Sequence, residues 1–463
     1  MKEIRSLLLG LLIVVYVGSV LILSRQGQAL NFWVNWIVLF GVMGMIIIRF
    51  YNKKVEPLLM TFLLLCFIPF IHLVTYPFFD FTKYSPIVWG LASNKYMFNP
   101  EIVNYTLQIG AIMMSGLYLG SFSFSSTTTS NIISNKELGK IKFTVMLGLG
   151  LFFSLISTPA QTVFEAQYAT TTANIIPVNF SSGWMVSYAI LTLLFVDAYH
   201  SHSRYKQFKR TLIIAVIIYV VVWLQFLRGD RESIPWVVGL LWIYISNVRL
   251  GISWKKLTLP VIILGLVLLS NQIVGALRSN LTGLSIADAY SLIEKIFKSD
   301  QNEYFILLNF LHGTWSAVLL TPLSVAGDHV LFGTKYLYGR DYADLILSLP
   351  PGFVADFFGY VRPLEYSQGP SWDMRYGLGG THFSVVPFRN FGLFGVFLFS
   401  LVQTRMFFFL IRYFRRKNTV LSIAILGFLF SVLPHWLWYG DKYIVNAIFI
   451  LIFLRFIYRF RLA

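Results

Sequence analysis

Apolar residues along this chain come in long, nearly unbroken blocks and do not alternate with polar ones. The first block runs from Leu7 to Leu23, and many others exceed 17 residues. That length lets a helix cross a hydrocarbon layer about 30 Å thick. The pattern predicts twelve membrane-spanning helices, at about 6–23, 30–48, 57–76, 102–124, 141–157, 178–198, 211–227, 233–247, 257–275, 389–410, 419–435 and 441–457. The eighth is short. A rival apolar segment, 303–323, is interrupted by Asn309, His312, Thr314 and Ser316.

Composition agrees with the pattern. The chain has 463 residues, 57% hydrophobic and 12% charged, more apolar residue than a soluble core can use. Its formal charge of +17 would suit nucleic acid in a soluble protein. In a membrane protein, lysine and arginine hold loops on the cytoplasmic face. The single cysteine, Cys66, lies inside an apolar run, which excludes an intrachain disulfide and a thiolate metal site. Lys2 and Arg5 precede the first apolar run as in a signal peptide. The run is too long and lacks a small-residue cleavage site, so a retained first helix is expected.

The basic residues orient the helices. With the N-terminus inside, the cytoplasmic segments collect 22 Lys and Arg, including Lys53, Lys140, Lys209, Lys255 and Arg416. The short outer loops hold six: Arg25, Lys83, Lys95, Arg228, Arg231 and Lys442. This asymmetry predicts both termini in the cytoplasm. Between the ninth and tenth spans, residues 276–388 form a long outer loop with 7 basic and 10 acidic residues in an otherwise basic chain. Short helices are expected within it. Ser285 to Asp288 has capping-box spacing, followed by Tyr290, Ile293 and Phe297 at helical intervals. Segment 303–323 is expected as an interfacial or re-entrant helix, because a full span would invert everything after it. Pro350-Pro351-Gly352 and the aromatic, glycine-rich stretch 359–380 predict irregular chain. The expected organisation is one integrated domain: nine helices in 1–275, the outer loop 276–388, and three helices in 389–463.

Candidate chemistry begins at Arg228-Gly-Asp230-Arg231-Glu232, where two arginines sit on the side the charge rule disfavours. A guanidinium fork grips phosphate oxygens and stays charged at any physiological pH. The other reading is an internal ion-pair cluster with Asp230 and Glu232. Arg278 ends the ninth span on the same side, where it either joins an anion site or snorkels to the interface. His382, in Gly379-Gly380-Thr381-His382-Phe383-Ser384, is either a proton acceptor or a structural histidine before the tenth span. Asp341 and Asp344 read as a solvated helix face more readily than as an acid pair. No metal spacing and no phosphate-binding glycine loop stands out, so metal and ATP chemistry are not expected.

From about 331 to 396 the chain resembles the bacterial Wzy-type oligosaccharide repeat-unit polymerases, relatives of the O-antigen ligases. The resemblance lies in Tyr338-Gly339-Arg340-Asp341-Tyr342, Leu349-Pro350-Pro351, Gly379 to Ser384, and Asn390-Phe391-Gly392-Leu393-Phe394-Gly395. It implies a twelve-helix, all-α glycosyltransferase of the GT-C membrane type in the bacterial inner membrane, with its active site on the outer face. The donor would be a glycan on undecaprenyl pyrophosphate, and the acceptor a hydroxyl of a second lipid-linked repeat unit. The bond would invert, without cofactor, and the product would be O-antigen or capsular polysaccharide. Arg231, Arg278 and His382 would be catalytic. Arg228, Tyr338, Arg340, Gly380, Thr381 and Arg389 would bind substrate. A chain-length regulator would be a partner. Many relatives carry an acidic residue just before Asn-Phe-Gly. Here that stretch is Val385-Val386-Pro387-Phe388-Arg389, so any carboxylate base must come from elsewhere. A lipid-linked oligosaccharide flippase and an O-antigen ligase are the alternatives. The absence of paired repeats speaks against the flippase.

Overall fold

The computed structural model describes residues 2–25, 29–51, 57–71, 73, 99–121, 138–157, 183–199, 204–227, 233–247, 305–333, 335–349, 357–359, 361, 381–417 and 419–459. Every regular element among them is helical. In chain order they are α1 (Lys2–Arg25), α2 (Phe32–Tyr51), α3 (Pro57–Phe67) with a 3-10 turn (Ile68–Ile71), α4 (Pro100–Gly120), α5 (Lys140–Ile156), α6 (Gly183–Tyr199), α7 (Arg204–Leu227), α8 (Ser233–Asn247), α9 (Phe305–Phe332), α10 (Arg340–Ser348), α11 (Val385–Lys417), α12 (Val420–Tyr439) and α13 (Lys442–Arg459). Helices α4, α11 and α12 are long and apolar enough to cross a membrane, and shorter apolar helices accompany them. Leu12, Ile37, Phe409 and Phe456 are each more than half exposed. So much bare aliphatic and aromatic surface suits lipid, not water, and the protein is a membrane-embedded helical protein.

Eleven of the twelve expected spans coincide with helices, and the ninth, 257–275, lies outside the described residues. The rival segment, expected as an interfacial or re-entrant helix, is helical from Phe305 and belongs to a single helix of 28 residues, α9, about 42 Å long at ~1.5 Å per residue. The polar residues that break its hydropathy do not break its backbone, and Pro322 is accommodated within it. Thr321 returns its hydroxyl to the carbonyl of Val318 at 3.1 Å, so that hydroxyl is satisfied by the helix's own backbone.

The chain divides into two compact units. The first comprises Met1–Ser126, Leu307–Phe409 and His435–Lys442. Its centre is α4, which starts where Asn99 accepts hydrogen bonds from the backbone N–H groups of Glu101 (2.9 Å) and Ile102 (3.3 Å), with Pro100 at the first helical position. Because α4 is apolar nearly all round, it is buried nearly all round. Gly116 and Gly120 let α11 approach closely. A β-carbon there would lie 2.6 Å from the carbonyl of Phe397 and 2.8 Å from that of Leu401. Near the start of α4, Asn35 donates to Asn104 (2.9 Å) and accepts from the Tyr16 hydroxyl (2.8 Å), and Gln108 accepts from the N–H of Leu30 (2.9 Å). These bonds tie α1, α2 and α4 together.

The second unit comprises Thr127–Ile306, Leu410–Pro434 and Tyr443–Ala463. Helix α6 is its buried centre. Trp236 stacks on Tyr188 at 4.0 Å and donates its indole N–H to Thr192 at 2.8 Å. At the far end of α6, buried Asp197 pairs with Arg210 at 3.6 Å and accepts from the N–H of Leu138 at 3.2 Å.

Candidate functional site

The first unit gathers three of the four motif segments around the start of α11. Leu337 and Tyr338 run alongside it, their N–H groups donating to the carbonyls of Arg389 (3.0 Å) and Asn390 (3.2 Å). The chain then turns back sharply. Tyr338 has φ 47° and Gly339 φ 94°, ψ 3°, and the N–H of Arg340 donates to the carbonyl of Leu337 at 3.1 Å. Two successive left-handed residues closed by that bond make a type I′ turn. Among the described residues, Tyr338 is the only non-glycine with positive φ.

Asn390, fully buried, holds this turn. Its side-chain oxygen accepts from the N–H of Gly339 at 2.9 Å. Its amide nitrogen donates to a carboxylate oxygen of Asp341 at 3.0 Å and to the carbonyl of Val386 at 2.8 Å. The second oxygen of Asp341 faces the guanidinium of Arg389 at 3.6 Å. Burial pushes the Asp341 carboxyl above the usual range, against the opposing pull of Arg389 and Asn390. Asp341 thus sets a carboxylate against Asn390 from 49 positions upstream. Asp341 is buried, which corrects its reading as part of a solvated face. Asp344 keeps more solvent contact and pairs with Arg340 at 3.8 Å, four residues apart on α10.

The two glycines after Asn390 have separate tasks. Gly392 takes φ 64°, ψ −155°, a combination reserved to glycine, and bends α11. A β-carbon on it would lie 2.8 Å from the Tyr336 hydroxyl. Gly395 admits the carbonyl of Pro387, which would lie 2.5 Å from a β-carbon there.

His382 is fully buried. Its Nε2 lies 3.1 Å from the carbonyl of Cys66, which can only accept, so Nε2 carries the proton. Nδ1 then accepts from the Ser384 hydroxyl at 2.8 Å and its N–H at 3.3 Å. The backbone N–H of His382 donates to Thr321 on α9 at 3.1 Å, and the Phe70 ring meets the imidazole edge-on. Burial lowers its pKa to about 4, only partly opposed by the Cys66 carbonyl. His382 ties the segment entering α11 to α3 and the 3-10 turn through its imidazole and to α9 through its backbone N–H, and both ring nitrogens are occupied. This geometry is that of a structural histidine, the second of the two readings open for it. Thr381, beside it, is buried, and its hydroxyl has no hydrogen-bond partner among the described residues.

Of the other expected site residues, Tyr338 and Arg340 are exposed at 80% and 76%, and Arg389 is largely covered. Arg228, Arg231, Arg278 and Gly380 lie outside the described residues, as does the Ser285–Asp288 capping box. Sequence reasoning missed Asn390 as the hub and Tyr336 as the group resting on Gly392. Spacing signals neither, since both act across about fifty residues. Among the described residues no group of three or more His, Cys, Asp or Glu side chains is placed to hold a metal.

No family model, curated protein or solved structure matches this chain.

Proposed function

We propose that this protein is a glycosyltransferase of the bacterial inner membrane that polymerises lipid-linked oligosaccharide repeat units. On this reading it has twelve spans, GT-C architecture and both termini in the cytoplasm. The observation that carries the proposal is that Tyr338 to Tyr342 is bonded onto Asn390 at the start of α11, with Thr381 to Ser384 leading directly into the same helix. These are the segments in which the chain resembles the Wzy-type polymerases, and Asn390 bonds two of them together.

In the proposed reaction, an acceptor hydroxyl oxygen attacks the anomeric carbon of a glycan carried on undecaprenyl pyrophosphate. The new C–O bond forms as the bond to the pyrophosphate oxygen breaks, inverting the centre. The hydroxyl proton passes to the departing pyrophosphate or to water, so electrons and atoms balance without a nucleotide. Negative charge grows on the bridging oxygen, and fixed guanidinium groups there lower the barrier. Arg228, Arg231 and Arg278 are assigned to that charge. Arg340 carries exposed positive charge beside the Tyr338 turn. Neutral, enclosed His382 is assigned to positioning, as is Asp341. Acceptor reactivity then comes from orientation by the outer loop more than from a dedicated base. A chain-length regulator is the expected protein partner.

The test is complementation of a deletion strain. Arginine-to-alanine substitution at Arg231 should lower polymer yield by roughly 10²- to 10³-fold, the cost typical of losing one preorganised anion donor. Polymer of normal length and amount from that variant would remove the arginine from the mechanism.

A further inference from the structure

Beside the Asn390 hub lies a set of rings that the proposed chemistry does not use. Phe388, fully buried, is its base. Around it stand Tyr105 from α4 (5.9 Å), His329 from α9 (5.8 Å) and Tyr336 (6.5 Å), and Tyr105 is tilted against His329 at 4.6 Å. Exposure increases outward along the set. Tyr105 is buried with no partner for its hydroxyl among the described residues, His329 and Tyr336 are half-buried, and Tyr338 is exposed. Tyr338 lies close enough to raise the Tyr336 phenol above its usual range, adding to the effect of burial. Phe391, itself partly exposed, sits under the turn, 3.7 Å from where a β-carbon on Gly339 would be. Exposed Arg340 follows.

Placing Tyr338 there is costly. A left-handed backbone strains a residue of this size, and the fold retains it by bonding its N–H to the carbonyl of Asn390 and the next N–H to the Asn390 side chain. A tyrosine that merely marked the membrane interface would not need that conformation. Asparagine or glycine would make the same turn with little strain. What the arrangement secures is an exposed tyrosine on a backbone pinned by Asn390, with the Tyr336 phenol near it and the exposed Arg340 guanidinium two positions on.

We propose that Tyr338, presented on the turn that Asn390 holds, is a stacking platform for one sugar ring of the glycan, and that Arg340 and the Tyr336 hydroxyl bond its hydroxyl groups. A pyranose has an apolar C–H face that packs on an aromatic ring and an equatorial belt of hydroxyls that needs donors and acceptors. An exposed amphipathic tyrosine on a fixed backbone meets both demands. This inference rests on the glycan-transfer reading and deepens it, giving Tyr338 the role of a specificity-determining contact.

The test uses full-length protein in lipid nanodiscs and saturation-transfer NMR with the methyl glycosides of glucose, galactose, rhamnose, N-acetylglucosamine and N-acetylgalactosamine. Wild-type protein should transfer saturation to the C–H face of at least one glycoside. Tyr338→Gly relieves the strained backbone, so its melting temperature should hold or rise while its glycoside affinity falls about three- to tenfold. Tyr338→Phe should keep most of the binding. Tyr338→Gly binding as wild type does, or no glycoside saturated by wild type, would overturn the platform. Polymer made by a wild-type protein that binds no glycoside would remove this site and leave the proposed function standing. Glycoside binding lost in Tyr338→Gly, in a protein that makes no polymer from lipid-linked units, would do the reverse.

Discussion

Replacing Asn390 with alanine should loosen the site without touching substrate. The asparagine bonds the N–H of Gly339 and a carboxylate oxygen of Asp341; its third bond, to Val386, shares an acceptor with the helix. A neutral hydrogen bond contributes about 0.5–1.5 kcal/mol and one to a charged group about 1.5–3 kcal/mol. Losing both costs about 2–4.5 kcal/mol. Part of this is returned, because a released turn lets Tyr338 leave its left-handed conformation, a relief on the order of 1 kcal/mol. The expected net loss is about 1–3.5 kcal/mol. Unfolding titrations in mixed detergent micelles measure it directly. Asn390→Asp separates the two bonds, since it keeps an oxygen for Gly339 but sets a second carboxylate against Asp341, and it should be the worse substitution near neutral pH. An Asn390→Ala variant within 0.5 kcal/mol of wild type, a margin set by the usual scatter of neutral substitutions, with full polymer yield, would refute the claim that Asn390 joins the motif segments.

Other consequences are as direct. Gly392→Ala must place a β-carbon at φ 64° and against the Tyr336 phenol, so a loss of roughly 1–3 kcal/mol is expected on unfolding, with partial recovery in Gly392→Ala/Tyr336→Ala. His382, with its folded pKa lowered to about 4, contributes stability present above its unfolded value near 6.5 and lost as pH falls through about 4. That contribution, about 3 kcal/mol in full, should appear as a stability difference between wild type and His382→Gln that shrinks steadily from pH 7 to pH 4, and activity between pH 6 and 8 should show no ionisation traceable to this residue. Buried Cys66 gives a silent background for thiol labelling. Cysteine at Tyr338 should react with an impermeant maleimide added outside intact cells, and cysteine at Arg416 only after permeabilisation; the opposite result would invert the proposed orientation.

Much of the scaffold was legible because membrane helices satisfy their own backbone and advertise themselves by unbroken apolar runs. Helix α9 was legible only in part. Asn309, His312, Thr314 and Ser316 lower hydropathy, yet none of these residue types prevents a helix. The site was less readable still. The Tyr338-Gly339 turn lacks the Asn-Gly or Asp-Gly pair that marks a type I′ turn, because a strained tyrosine occupies the place. Asp341 and Asp344 look alike on a short helix, and only the fold separates a carboxylate buried against Asn390 from one partnering an exposed arginine. His382, in a glycine-rich stretch, has the sequence of a ligand-contacting residue. Its partner is the carbonyl of Cys66, 316 positions away, and no local pattern encodes such a contact.

Glycan joining by displacement of a lipid pyrophosphate can be followed by incubating the purified, reconstituted protein with purified undecaprenyl-pyrophosphate-linked repeat units and analysing the products by mass spectrometry. The account predicts dimers and longer oligomers still on lipid, one undecaprenyl pyrophosphate released per new glycosidic bond, and near-complete loss of both in Arg231→Ala. Lipid-linked units that cross the bilayer unchanged, with no new bond and no released pyrophosphate, would contradict it.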